Sequence, residues 1–433
     1  MNRISYKREL PVIGEYDVAV LGGGPAGVCA AIEAARAGQK TVLIEASGML
    51  GGMATTALVG PFMTCYDRDG DRQVVHGIFD EIVERTASEN GAVYPSETDA
   101  PSIYSSFIKR YHKHVTPFDS FALQLALDDL TREAGVELFF YTKFVDCEVS
   151  ENGSIASVVL DAPQGLVAMK AKEYIDCTGN ADVAFSAGVP TWNGGEDGSA
   201  PQPATLFFEI DGVDDEVYAA RNARPPRPVK AYKMPEKGRY KVNHERVYFV
   251  NANDARSMTD AHIEARKQVL KSFETLRSLP GFEKAELTQV APVLGVRESR
   301  HIVGEYRITV KDVCEGTRFD DSICVFGYGM DVHSRDGKVS GGFHGESANM
   351  YEIPYRCLVP KGCPNLLVAG KTISAESQAA GSLRVMPACM ATGQAAGAAA
   401  AIAASRGIAV GEVPVGELKS NLKAHGAVTD IDE

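Results

Sequence analysis

The chain has 433 residues, 45% of them hydrophobic, and a formal net charge of −13. That length and apolar content suffice for a large core divided into two or three regions, and the acidic balance argues against a nucleic-acid surface, because phosphate backbones are held by Lys and Arg. Nine scattered cysteines without C-x-x-C or His-rich spacing give no reason to expect a disulfide framework or a metal site.

Residues 1–15 are charged and lack the apolar core of a secretory signal. The tract 385–405 is apolar but built from Ala and Gly with hardly any Leu or Phe, a composition that suits a closely packed core helix better than a bilayer span. A cytoplasmic protein with no membrane attachment is expected.

The first strongly patterned stretch, 16–45, reads strand, glycine turn, helix, strand. Val18, Val20 and Leu21 suit a buried parallel strand, and Gly22, Gly24 and Gly27 follow in G-x-G-x-x-G spacing. The first glycine permits the sharp turn, the second lets a pyrophosphate touch the backbone, and the third lets the helix pack closely on the strand. The helix aims free N–H groups and its positive dipole end at the phosphates. Pro25 falls in its first turn, where a missing N–H costs nothing, and Gly38 falls at its C-terminus. The second strand, 41–44, ends in Glu45, whose carboxylate can accept two hydrogen bonds from a ribose diol and would repel a 2′-phosphate. Gly48, Gly51 and Gly52 come next and keep backbone close to a long ligand.

Residues 63–114 interrupt the α/β alternation with an amphipathic helix at about 77–89 and a polar, aromatic-bearing loop, an insertion near the active site. Cys65 lies there, in a loop that can approach a cofactor. The alternation resumes where Asp119 caps a helix with Leu123, Leu127, Leu130 and Ala134 inward, ending at Gly135. Strands are expected at 136–141, 143–149, 155–161 and 166–171, and a further strand from Tyr174 enters a turn with Thr178, Gly179 and Asp182.

Residues 201–350 change character, with more Pro, Tyr and Arg and one long helix at about 257–278, and read as a second, α+β domain. It holds Arg297, Arg300, His301, Asp331, His333 and His344. Beyond it, 365–370 is a buried strand returning to the first sheet, 371–386 a loop, and Pro387 starts a helix whose Gly393, Ala395, Ala396 and Gly397 allow backbone-close packing. The architecture is therefore α/β: a Rossmann-like nucleotide domain from 1–62, 115–200 and 351–433, a parallel sheet with helices on both faces, into which the substrate domain 201–350 is inserted.

Together VAVLGGGPAGVCAAIEAARAG, LGGMAT after the ribose acid, CTGNAD, GVRESRHIVGEY, IPYRCLVPKG, LLVAGKTIS and GSLRVMPACMATGQAAGAAAA resemble the bacterial FAD-dependent oxidoreductase family, distantly related to the fumarate reductase and succinate dehydrogenase flavoproteins. The resemblance implies FAD, held through Gly22, Gly24, Pro25, Ala26 and Gly27 at the pyrophosphate and Glu45 and Ala46 at the adenosine ribose. Gly51, Gly52, Met53 and Thr55 would lie nearer the flavin, and Val145 or a neighbour would meet the adenine through its backbone. Thr178, Gly179 and Asp182 would close the site, with Gly370, Ser382, Arg384, Val385 and Met386 along the ribityl chain and flavin. The covalently flavinylated relatives differ, since no histidine lies between Glu45 and Asp71 here, so the FAD is expected to be non-covalent.

A flavin takes hydride at N5, and a substrate hydroxyl or amine then needs a base with a pKa near neutrality, which favours histidine. His333 leads over His344 and His301, because Asp331 two residues away can fix its tautomer if the segment is extended, with the base titrating near the usual 6.5. Arg297, Arg300 and Arg356 are candidates to grip a substrate carboxylate, or equally to pair with acids of the protein. The expected activity is oxidation of a small polar molecule, an alcohol, amine or sugar-like hydroxyl. The alternative is reduction of an activated C=C. An RNA-modifying flavoprotein is opposed by the charge, and a flavin-bearing partner subunit without turnover is a further reading. The electron acceptor is left open, and a homo-oligomer is allowed.

Overall fold

The computed structural model describes residues 4, 5, 7–99, 103, 104, 113–195, 198–222, 230–337, 342–345 and 347–433. Its main sheet begins with β1 (Val12–Leu21) and β2 (Thr41–Ile44), paired in parallel through α1 (Pro25–Arg36). The expected helix at 77–89 is α2 (Ile78–Ser88), and the polar loop expected after it falls partly outside the described residues. Next comes α3 (Ser120–Glu133), capped as expected by Asp119, whose carboxylate accepts from the N–H groups of Phe121 and Ala122 at 2.9 Å. The sheet is completed by β3 (Glu137–Phe139), β4 (Lys143–Val149), β5 (Ile155–Ala162) and β6 (Gly165–Asp176), in the order β3-β2-β1-β6-β5-β4.

Strand β6 departs from the sequence reading, which breaks it in two. It is continuous through Lys170-Ala171-Lys172 and forks the sheet. Its first half pairs antiparallel with β5, its last residues pair parallel with Leu366–Val368, and β1 runs alongside throughout. The exposed lysines sit at the fork, between two buried halves, so the polar gap in the sequence marks a change of neighbour and not a strand end.

Alternate residues of the strands feed two cores. Val18, Val20, Leu43, Ile175 and Leu367 pack on α1, α2, α3 and the helix Met386–Arg406. Ala19, Leu21, Val42, Ile44 and Tyr174 pack on Val158, Leu160 and Val167 of the β4–β6 hairpins and on Val183 and Ala184 of the short helix Asp182–Ser186. This is a Rossmann-like α/β fold. No single helix among the described residues is long and apolar enough to cross a membrane.

A second unit has its own core, drawn from 204–294 with Leu58. Its antiparallel sheet orders Glu286–Val290, Phe208–Asp211, Tyr240–Val242 and Ala231–Lys233, covered by the helix Ala255–Arg277 through Ala261, Ala265, Val269 and Leu276. Ile308, Val313, Ile323 to Phe326 and Tyr328, although within the expected 201–350 domain, pack into the nucleotide-domain core.

The segment 371–386, read as a loop, contains the helix Ser377–Leu383. Its residues are nearly all buried, so it shows no apolar-polar alternation by which a sequence betrays a surface helix. The small-residue helix starts at Met386, one residue before the expected Pro387, and lies against α1 so tightly that a Cβ on Gly393 would sit 2.1 Å from the Ala26 carbonyl oxygen.

Candidate functional site

The glycine turn has three different demands, each visible in the backbone. Gly22 has φ +105°, and a Cβ there would meet the Cys177 carbonyl at 2.4 Å. A Cβ on Gly27 would fall 1.8 Å from the Gly22 oxygen, so α1 can approach the strand only with glycine at that position. At Gly24 a Cβ would meet nothing within 4 Å, because the residue faces a cavity of about 840 Å³. A pyrophosphate fits this cradle: backbone at the helix start with empty space in front of it.

Glu45 faces the same cavity. Its Oε2 accepts from the Gly23 N–H at 2.8 Å and its Oε1 from the Ser47 N–H at 2.7 Å. Each carboxylate oxygen keeps a second lone pair for a ribose hydroxyl, so the acid both shapes the turn and presents acceptors. Glu45→Gln should weaken FAD binding and Glu45→Ala should weaken it further. Loss of charge-assisted hydrogen bonds costs about 1.5–3 kcal/mol, or roughly ten- to a hundred-fold in a fluorescence titration of apoprotein with FAD. Wild-type affinity in both variants would mean that the ribose lies elsewhere.

Of the other expected cofactor residues, Pro25, Ala26, Ala46, Gly52 and Met53 line the cavity on the nucleotide side. Thr178 and Gly179 do so in the turn after β6, and Gly370, Arg384, Val385 and Met386 on the C-terminal side. Gly51 works from behind: its φ is +99° and its N–H donates to the Gly23 carbonyl at 2.8 Å, which brings Gly52 against Gly24. Thr55 is buried, its hydroxyl donating to the Leu50 carbonyl at 2.6 Å. Ser382 is buried between Tyr328 and Tyr351 and does not reach the cavity.

Two further residues of the expected set do not line the cavity. Val145 sits on β4, the outermost strand on that side of the sheet, 51% exposed and away from the cavity, because the register of β4 with β5 turns it to solvent. Asp182 is drawn outward to Arg300 at 2.8 Å. The turn is instead organised by a residue outside the expected set, Asp176. Its fully buried carboxylate accepts from Thr178 N (3.0 Å), Thr178 Oγ1 (2.7 Å) and Ala184 N (3.0 Å), and burial pushes its pKa up to about 6.

Asp331 and His333 lie two apart on the strand Met330–His333 and both line the cavity, as their spacing predicts. Asp331 Oδ1 is 3.5 Å from His333 Nε2, and its Oδ2 accepts from Arg384 Nη2 at 3.1 Å. The His333 backbone N–H donates to Gln202 Oε1 at 3.0 Å, fixing the strand end. Burial, with Arg297 next in weight, pushes the imidazole down to about 3, well below the 6.5 expected from sequence. Arg297 also lines the cavity.

The remaining candidates are elsewhere. His301 is buried, stacked on Trp192 with Nδ1 3.2 Å from the Ile373 carbonyl, and desolvation lowers it to about 4. Arg300 lies over the Phe185 ring and Arg356 is held by both oxygens of Asp321, so neither faces a substrate. His344 pairs with Asp331 through its backbone, while its side chain lies outside the described residues. Cys65 is fully buried in the larger core, and burial raises its thiol pKa. Sequence reasoning missed Lys230, Tyr232, Asn243, Arg246 and Lys371, which also line the cavity. Most come from short strands or loops without periodicity, and only Lys371, directly after the expected strand 365–370, carried a positional signal. Among the described residues no cluster of His, Cys, Asp and Glu could hold a metal ion.

Comparison with known proteins agrees with this geometry. Dihydrolipoyl dehydrogenase of Trypanosoma brucei brucei is 51% identical over 47 residues, 11% of this chain and 10% of that protein. The mitochondrial dihydrolipoyl dehydrogenase of Schizosaccharomyces pombe (strain 972 / ATCC 24843) is 56% identical over 39 residues, 9% and 8%. The chain thus matches about a tenth of the length of these curated relatives. The solved structure of p-nitrophenol 4-monooxygenase PnpA from Pseudomonas putida DLL-E4 superposes with a TM-score of 0.51 at 12% identity, covering 96% of this chain and 87% of that one, a likeness of fold alone. A family model described as FAD dependent oxidoreductase matches residues 17–422, from the strand before the glycine turn to the last helix, and the chain belongs to that family, with FAD as its cofactor.

Proposed function

We propose that the protein holds FAD non-covalently and oxidises a small polar substrate, an alcohol, amine or sugar-like hydroxyl, by hydride transfer to flavin N5. FAD supplies the hydride acceptor when bound; the residues of the chain bind, orient and move the proton. The observation that carries the reading is the series Arg384–Asp331–His333 on the wall of the cavity that also presents Gly24 and Glu45. With Asp331 beside Nε2, that nitrogen carries the ring proton and Nδ1 is left as the acceptor, a tautomer inferred from the contact. The lowered pKa keeps the ring unprotonated across the physiological range, so that its acceptor nitrogen stays open. Negative charge developing in the cavity is stabilised by the start of the helix Met386–Arg406, which has no side-chain cap, so its first N–H groups are free to donate.

Mixed anaerobically with a panel of alcohols, amines and sugars, the holoenzyme should bleach its flavin absorbance with at least one class. A panel that leaves the flavin oxidised, together with reoxidation of dithionite-reduced enzyme by enoates, would replace oxidation by C=C reduction.

A further inference from the structure

The second unit contributes to the cavity a cluster of positive charge in which neither arginine has an ion-pair partner among the described residues. Arg246 follows the strand Tyr240–Val242 and Arg297 follows Glu286–Val290, and both guanidiniums line the cavity wall. Arg297 Nη1 donates to the Pro203 carbonyl at 2.6 Å and to Thr205 Oγ1 at 2.8 Å, and its Nη2 donates to Asn243 Oδ1 at 3.3 Å. Arg246 Nη1 donates to the same Thr205 oxygen at 3.0 Å, to the same Asn243 oxygen at 2.8 Å and to the Glu245 carbonyl at 2.7 Å. Every one of these acceptors is neutral, and two are shared.

Among the described residues neither guanidinium makes an ion pair. Lys230 joins them on the wall with its pKa pushed down to about 8 by burial and by these two arginines. Desolvation lowers both arginines from their usual value, with Arg384 repelling both and Arg246 repelling Arg297, against an opposing pull from Asp331. The nearby carboxylate on this wall, Asp331, is already engaged by Arg384 and His333. Like charges withdrawn from water and satisfied only by neutral oxygens are costly unless a counter-ion arrives. A guanidinium fork matches a planar oxyanion bidentately. The neighbouring wall is apolar, formed by Phe207, Met258, Val293 and Leu294.

We propose that the substrate is a small organic acid whose carboxylate lodges against Arg246 and Arg297, with an apolar carbon body along Phe207 and Leu294. The proposal deepens the oxidative reading and rests on it for the reaction itself. For a hydroxy or amino acid the balance is complete: the C–H hydride passes to the flavin, the O–H or N–H proton passes to His333 Nδ1, and a C=O or C=N product remains. The anion is held by residues that take no part in that transfer.

Anion binding is testable without turnover. Oxidised holoenzyme should bind benzoate, followed by perturbation of the flavin spectrum and by calorimetry, at least about a hundred-fold more tightly than benzamide, which is the same shape without the charge. Arg246→Met and Arg297→Met should each weaken benzoate binding roughly ten- to a hundred-fold while leaving benzamide unchanged. Equal binding of benzoate and benzamide to the wild-type enzyme would overturn the proposal whatever the variants do. Tighter binding of phenyl phosphate than of benzoate would overturn the choice of carboxylate in favour of a phosphate ester. Benzoate selectivity in an enzyme whose flavin no hydroxy or amino acid bleaches would retain the anion site and overturn the oxidative reading alone.

Discussion

The His333→Asn enzyme should keep its flavin spectrum and reduce its flavin about 10²–10⁴-fold more slowly with substrate, the usual cost of removing a general base. The reason is positional. His333 and Asp331 share one face of a short strand, that face lines the cavity, and the Asp331 carboxylate is itself held by Arg384, so the ring is presented in a fixed orientation. Asp331→Asn should cost less, because it disturbs the tautomer and orientation of a base that is still present. The pH dependence is a sharper test. An unperturbed histidine base would give a rise through about 6.5, but burial and Arg297 hold this ring deprotonated down to about 3. The wild-type reduction rate should therefore be flat between about pH 5 and 7, with no histidine step. A rise through about 8, persisting in His333→Asn with wild-type rates, would assign the base to Lys230, whose pKa is lowered to that value.

Gly393→Ala should produce the largest loss of stability of any single methyl addition proposed for this chain. The added carbon would lie 2.1 Å from the Ala26 carbonyl oxygen and 2.7 Å from two more backbone atoms of α1, none of which can rotate away. Overpacking where a side chain can yield costs about 1–3 kcal/mol, and a backbone contact this short belongs at or above that upper end. Ala26 also lines the cofactor cavity, so flavin content should fall with the melting temperature. Gly416→Ala is the matched control, since a Cβ there meets nothing within 4 Å and the residue is helical; it should be neutral or stabilise by about 0.4–1 kcal/mol. A wild-type melting temperature and flavin content in Gly393→Ala would show that the two helices separate freely.

What could be read from sequence follows the range of the interactions. The β1–α1–β2 unit is written in consecutive residues, so the glycine turn of Gly22, Gly24 and Gly27 and the position of Glu45 beside it were legible, as was the Asp119 cap. Asp331 and His333 were legible because their geometry is a two-residue period within one strand. Arg246 and Lys230 were not, because only the antiparallel pairing of Tyr240–Val242 with Ala231–Lys233 and Phe208–Asp211 brings their segments together. Asp176 escaped notice for a different reason. A buried acid at a strand end looks in sequence like any turn residue, and its role appears only in the three donors that converge on it. The outward turn of the Val145 side chain was not legible, because it depends on the irregularity between Phe144 and Asp146 in the pairing of β4 with β5.

The contact between Gly393 and Ala26 joins segments about 370 residues apart in a chain made from one end. At a synthesis rate of about 5–20 residues per second, α1 leaves the ribosome roughly 20–70 s before the helix that covers it exists. During that interval the glycine turn is formed by local sequence, yet its alanine flank stays open to water and to other nascent chains. Completion of the cofactor cradle therefore waits for the helix Met386–Arg406, and cofactor capture cannot precede its synthesis.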